Sequence, residues 1–124
     1  MKLIYVCGPL SSRNKIVQWQ RCQAAGEYAA GLLRKGIPAF CPAAHSLGLI
    51  IAEQFHGRTL PNPWAWWKRA DLPILGMATE FHVLMLSGWR KSVGVRAEIL
   101  EARRLAIPIK YVRPGPGKKV SETC

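Results

Sequence analysis

Phe81-His82-Val83-Leu84-Met85-Leu86 runs directly into Ser87-Gly88-Trp89-Arg90-Lys91-Ser92-Val93-Gly94-Val95-Arg96-Ala97-Glu98, and this junction decides the fold. The first six residues form a short, largely apolar run that reads as a buried strand. The rest opens on a turn containing Gly88 and Ser92 and continues as a helix to about Ala106. Such a turn presents free backbone N–H groups at the positive end of the helix dipole, which makes an anion site. Glu98 lies about 9 Å beyond Ser92 along the axis, at 1.5 Å per residue. That is roughly the reach from a nucleotide's phosphate to the anomeric carbon of its sugar, where a carboxylate attacks or stabilises a glycosidic carbon.

Lys2 to Cys7 reads as a short buried strand ended by Gly8-Pro9. Ser11, Ser12 and Asn14 are available caps for a helix from Ile16 to Lys35. On that helix Val17, Ala24, Tyr28 and Leu32 share one face, as do Ala25, Ala29 and Leu33. Arg34-Lys35-Gly36 ends it, and Ile37 to Cys41 is a second strand. Residues 42–62 are the least regular stretch, with a short helix from Ser46 to Phe55. Asn62-Pro63 starts another helix, exposed and rich in tryptophan, on which Trp64, Trp67, Asp71 and Leu75 share a face. Pro73 is expected to kink or restart it near Leu72. Ile107 to Val112 is a last strand.

Alternating apolar strands and helices predict an α/β fold. The expected form is a flavodoxin- or Rossmann-like three-layer sandwich around a parallel sheet of four to five strands. One domain is expected over residues 1–113, followed by a loose basic tail over 114–124. Ligands in such folds bind at the carboxyl ends of the strands. That rule gathers Gly8-Pro9, the region of His45, and Gly88 to Ser92 on one rim.

The formal net charge of +11 favours anionic partners. The charge is spread over Lys15, Arg34, Lys68, Arg90, Arg103 and Lys118, so three readings stand: a solvated basic surface, nucleic acid, or steering of an anionic substrate. Cys7, Cys22, Cys41 and Cys124 include no CxxC pair, and the three histidines form no HxxxH pattern, so no metal is expected. Nothing in the sequence asks for a cofactor. Three of these cysteines read as reduced core residues, which fits a cytoplasmic protein. The apolar run Leu3 to Val6 is too short for a signal peptide, and no stretch approaches a membrane span.

Several side chains are candidates for chemistry. Glu98 leads, against the reading of an ordinary helix-start glutamate. Ser92 is an N-cap, a role compatible with binding phosphate. Gly94 weakens a first turn relative to Ala, as expected where a ligand approaches the backbone. Asp71 shares an apolar face and so needs a partner or a purpose, unless it caps a turn restarted at Pro73. Tyr5 either donates to Glu98 across the site or is a core tyrosine. Ser11 and Arg13 follow Gly8-Pro9 and are placed to touch an anion, although neither a Walker loop nor GxGxxG is present. His45 contacts substrate or is a loop histidine.

Tyr5-Val6-Cys7-Gly8-Pro9, Asp71-Leu72-Pro73-Ile74-Leu75, and Gly88-Trp89-Arg90-Lys91-Ser92-Val93-Gly94 through Glu98 resemble the nucleoside 2-deoxyribosyltransferase-like superfamily. The resemblance extends to its small bacterial and phage branch with a G-W-x-x-S-x-G-x-x-x-E signature, and spans roughly residues 3–112. It implies a flavodoxin-like fold in a homodimer or homotetramer, with sites near subunit interfaces. It implies that Glu98 attacks C1′, that Tyr5 orients Glu98, and that Asp71 contacts the nucleobase and helps protonate it. The transferases usually carry Asp where this chain has Ser92. The related nucleoside 5′-monophosphate N-glycosidases carry a phosphate-binding Ser there. Ser92 therefore points to nucleotides, since a hydroxyl donates to phosphate whereas a carboxylate repels it.

The sequence leaves three functions open. One is an enzyme that cleaves or exchanges the N-glycosidic bond of a nucleoside 5′-monophosphate. Another is a nucleotide-sensing module without turnover, and the last is a nucleic-acid-binding protein with steep salt dependence.

Overall fold

A computed structural model describes residues 1–61 and 64–115. The expected helix start at Asn62-Pro63 and the tail from residue 116 onward lie outside the described residues. Four strands, β1 (Ile4–Cys7), β2 (Ala39–Phe40), β3 (Glu80–Leu84) and β4 (Ile109–Val112), form one sheet in the order β2-β1-β3-β4. Every pairing is parallel, with Tyr5 opposite Phe40 and Phe81, and Phe81 opposite Ile109. The helices are α1 (Lys15–Arg34), α2 (Pro42–Gln54), α3 (Trp64–Leu75) and α4 (Val93–Arg104). The result is the expected α/β sandwich, Rossmann- or flavodoxin-like, with four strands.

All four residues of β1 are buried, because both faces of the sheet are covered. Ile4 and Val6 face α1 and pack with Val17, Ala25, Ala29, Leu32, Leu84 and Leu86. Tyr5 and Cys7 face the other way and pack with Leu75, Phe81, Val83, Val95, Ile99 and Ala102 from α3, β3 and α4. The period-2 alternation of a strand thus sends Tyr5 and Cys7 together toward α4. Helix α2 packs on α1 beside the short strand β2.

Asn14 caps α1, its side chain accepting from the N–H groups of Ile16 and Val17 at 2.9 and 3.4 Å. The far end closes as a Schellman turn. Gly36 takes φ 77° while the N–H groups of Gly36 and Ile37 donate to the carbonyls of Leu33 and Leu32. Helix α4 ends the same way, with Ala106 at φ 56° and Ile107 N–H donating to Ala102 O at 2.9 Å.

The structure corrects the expected elements at several points. Residues 42–54 are not irregular, because α2 begins at Pro42, four residues before the expected start. Proline at the first helical position loses nothing, since its missing N–H has no partner there. Pro73 does not restart α3, which runs through it as one helix to Leu75. It falls so near the helix end that little ladder remains to break, and Gly76 N–H still reaches Leu72 O at 3.0 Å. Asp71 is therefore no cap of a restarted turn. On α1 it is Leu32 that goes inside, while Leu33 is exposed. The tryptophans of α3 are not a uniformly exposed face: Trp67 is buried and its Nε1 donates to Pro61 O at 2.8 Å. No helix is long and apolar enough to cross a membrane among the described residues.

Candidate active site

A cavity of about 470 Å³ opens at the carboxyl ends of β1 and β3. The chain goes outward from β1 to β2 on one side and to β3 on the other, so this is the point where the sheet's winding reverses. Connections there diverge and leave a crevice. The loop after β1 contributes Gly8 and Ser11, and α2 contributes Ser46. Trp64, Trp67 and Asp71 come from one face of α3. The turn after β3 and the start of α4 bring Lys91, Ser92, Gly94 and Glu98.

Glu98 falls on the buried stripe of α4 with Val95, Ile99 and Ala102, which turns its carboxylate inward rather than to solvent. Tyr5 Oη donates to Glu98 Oε2 at 2.6 Å. The Cys7 thiol, two residues along the same face of β1, also hydrogen-bonds to this carboxylate. Burial still dominates: it pushes the Glu98 carboxyl up to about 7, against the lowering effect of the Tyr5 and Cys7 hydrogen bonds, and the Asp71 charge adds to the rise. Burial and then the negative Glu98 push both the Tyr5 phenol and the Cys7 thiol well above their ordinary range, so both remain protonated donors.

Asp71 is 4% exposed, and its Oδ1 has no hydrogen-bond partner among the described residues. Burial raises its carboxyl to about 6, with the nearby His45 opposing the rise. An unpartnered carboxylate oxygen on a cavity wall is costly unless a ligand satisfies it. Asp71 and Glu98 thus form two interacting carboxyls that titrate near neutrality in one cavity.

At the other end of the cavity Ser92 caps α4, its Oγ accepting from Val95 N–H at 3.3 Å. An accepting hydroxyl keeps its own proton to donate to a ligand oxygen. Lys91 stands beside it at the mouth. Gly88 takes φ 87° and starts a single 3₁₀ turn, Trp89–Lys91. That turn folds Trp89 away from the cavity, onto the Tyr111 ring at 5.7 Å and under the Arg90 guanidinium at 5.1 Å. The ring of Trp64 lies over Gly94, 3.6 Å from where a Cβ would stand. That is ordinary contact distance, and Gly94 itself lines the cavity.

Of the residues singled out from sequence, Gly8, Ser11, Asp71, Ser92, Gly94 and Glu98 line this cavity, and Tyr5 reaches it through Glu98. Pro9 is buried beside it without lining it. Arg13 is exposed on the loop before α1 and does not line it either. His45 is exposed on α2 with its ring 5.4 Å from Phe40. Gly88 shapes the turn behind the wall. The sequence reading missed Cys7, Ser46, Trp64, Trp67 and Lys91 as parts of the site. The signal for Cys7 was its two-residue spacing from Tyr5, which puts both on one strand face.

No group of three or more His, Cys, Asp or Glu side chains is placed to hold a metal ion among the described residues. No curated protein matches this sequence. A family described as a domain of unknown function (DUF1937) matches residues 2–112, nearly the whole described chain, and the protein belongs to that family.

Proposed function

We propose that the protein cleaves or exchanges the N-glycosidic bond of a (deoxy)nucleoside 5′-monophosphate, with Glu98 as the nucleophile. One observation carries the reading: a buried carboxylate held by Tyr5 at 2.6 Å opens to the same cavity as the serine-capped start of its own helix. The phosphate is held by the Ser92 hydroxyl, the first N–H groups of α4 and Lys91. The base lies against the Trp64 and Trp67 wall within reach of Asp71.

The ionised Glu98 carboxylate attacks C1′ and the C1′–N bond breaks. The base leaves with the bonding electron pair and takes a proton from Asp71. Tyr5 and Cys7 fix the attacking group by donating to it. Water then attacks C1′ of the glycosyl ester, gives its proton to the Asp71 carboxylate and frees Glu98; a second base in place of water gives exchange. The reading needs no cofactor and no metal. It fits the likeness to the nucleoside 2-deoxyribosyltransferase-like superfamily, in which this position carries the attacking carboxylate. It also uses the net charge of +11 to draw in a phosphorylated substrate rather than nucleic acid. The homodimer or homotetramer implied by that likeness would cover exposed apolar side chains such as Trp19 and Phe55.

Free base released from a panel of ribo- and deoxyribonucleoside 5′-monophosphates and the matching nucleosides, followed by chromatography, tests this. Release from nucleotides in preference to nucleosides is expected, and Ser92→Ala abolishes that preference. Release from nucleosides alone rejects the phosphate site. A second reading, a nucleotide sensor without turnover, draws on the rise of Glu98 to about 7, since a protonated carboxyl donates to ribose rather than attacking it. Saturable nucleotide binding with no product, with or without an acceptor base, selects that reading.

A further inference from the structure

Arg21 is a charged residue near the middle of α1, yet it is 3% exposed. It lies on the stripe of Val17, Ala25 and Ala29 that faces the sheet. Its guanidinium donates from Nη1 to Ser11 O at 2.7 Å and from Nη2 to Ser87 O at 3.0 Å. Ser11 belongs to the loop after β1 and Ser87 to the turn after β3. Both segments contribute to the cavity wall, the first through Ser11 and the second through Lys91 and Ser92. Gly88 follows Ser87, and a Cβ there would stand 2.8 Å from Arg21 Nη2. The left-handed glycine therefore lets the turn close down onto the guanidinium.

From this we infer that Arg21 is a positioning residue for anion binding. It ties the β1 and β3 loops together from below, sets the width between Ser11 and the Lys91–Ser92 turn, and adds a buried positive charge beneath that turn. The planar fork of arginine spans two carbonyls on different loops at once, which a lysine ammonium on a flexible stem does not reproduce. A buried guanidinium also acts through a low-dielectric interior, so its charge is felt at the turn more strongly than that of an exposed lysine. The inference rests on the reading of the Ser92 end as a phosphate site, but not on any turnover.

The test is a titration of the full chain with inorganic phosphate, followed by backbone amide NMR. Wild type, Arg21→Lys and Arg21→Gln are compared, with melting temperatures measured alongside. The wild type is expected to show saturable shifts at the Ser92 to Val95 amides. Both variants are expected to bind phosphate about tenfold more weakly or worse, even though lysine keeps the charge. The Tyr5 phenol proton resonance, which reports its bond to Glu98, stays unchanged in the folded variants; a purely structural role would disturb it together with the phosphate site. If Arg21→Gln does not fold, Arg21→Lys carries the comparison. If neither folds, Gly88→Ala, which presses on the guanidinium from the turn side, is expected to weaken phosphate in its place. Phosphate affinity equal to wild type in the folded variants overturns this inference alone. An absence of phosphate binding in the wild type overturns it together with the nucleotide reading.

Discussion

At Glu98 desolvation and hydrogen bonding pull in opposite directions, and desolvation wins. Removing a carboxylate from water costs more than the donations from Tyr5 and Cys7 return, so its carboxyl rises to about 7. Tyr5→Phe deletes the 2.6 Å donor to the ionised form, so the Glu98 carboxyl rises further; carboxyl carbon NMR titration should show the upward move, and a downward one would contradict the assigned bond. The same rise is a stability effect. The folded chain keeps its Glu98 proton over a window, from about 4.5 to about 7, in which the unfolded chain has lost it. Stability from this group therefore falls as pH climbs through that window and is flat above it. Glu98→Gln removes the effect. It should leave stability near pH 4 little changed and raise it at pH 8 by an amount on the order of 3 kcal/mol, read from denaturant melts. A variant less stable at pH 8 would contradict this sign. Tyr5 and Asp71 were legible as polar groups among apolar residues, Ser92 as a cap at a strand–helix junction, and Glu98 from its spacing beyond that cap. Arg21 was not read as buried, although its spacing of four from Val17 and Ala25 puts it on the inward stripe.

The helices end where local chemistry ends them, with one exception that carries strain. Gly36 suits the left-handed residue of its Schellman turn, but α4 places Ala106 there at φ 56°. An L side chain in that region costs roughly 1 kcal/mol or more, so Ala106→Gly is expected to stabilise the chain by about 1 kcal/mol in thermal or denaturant melts. A loss of stability would show that the Ala106 side chain holds more than its backbone costs. The strand–helix order, all four parallel strands and the α1 caps were legible from apolar runs and their punctuation. The misreadings cluster at prolines. Pro42 fell in the stretch read as irregular and Pro73 was expected to kink or restart its helix, whereas one opens α2 and the other sits where α3 is about to end. Whether a proline breaks a helix depends on its position in the hydrogen-bond ladder, and composition does not give that position.

The winding of the whole sheet brings together residues far apart in the chain. The reversal between β1 and β3 sets Tyr5 against Glu98 and opens a cavity that α2 and α3 then wall. This assembly was only partly legible, because Ser46, Trp64 and Trp67 approach through segments whose docking depends on tertiary packing. Two interacting carboxyls near 6 and 7 give a singly protonated pair that is most populated between those values. Turnover through that form should follow a bell-shaped pH profile centred between pH 6 and 7, and a rate still rising above pH 8 would exclude it. The chemistry proposed for this site requires Glu98 to act at C1′. The measurement that tests this most directly is free-base release from nucleoside 5′-monophosphates by the wild type and Glu98→Gln, with nucleotide binding measured on both. Release by the wild type is expected, together with retained binding and a loss of release by at least about a thousandfold in Glu98→Gln. Equal release from the two chains would contradict that role for Glu98.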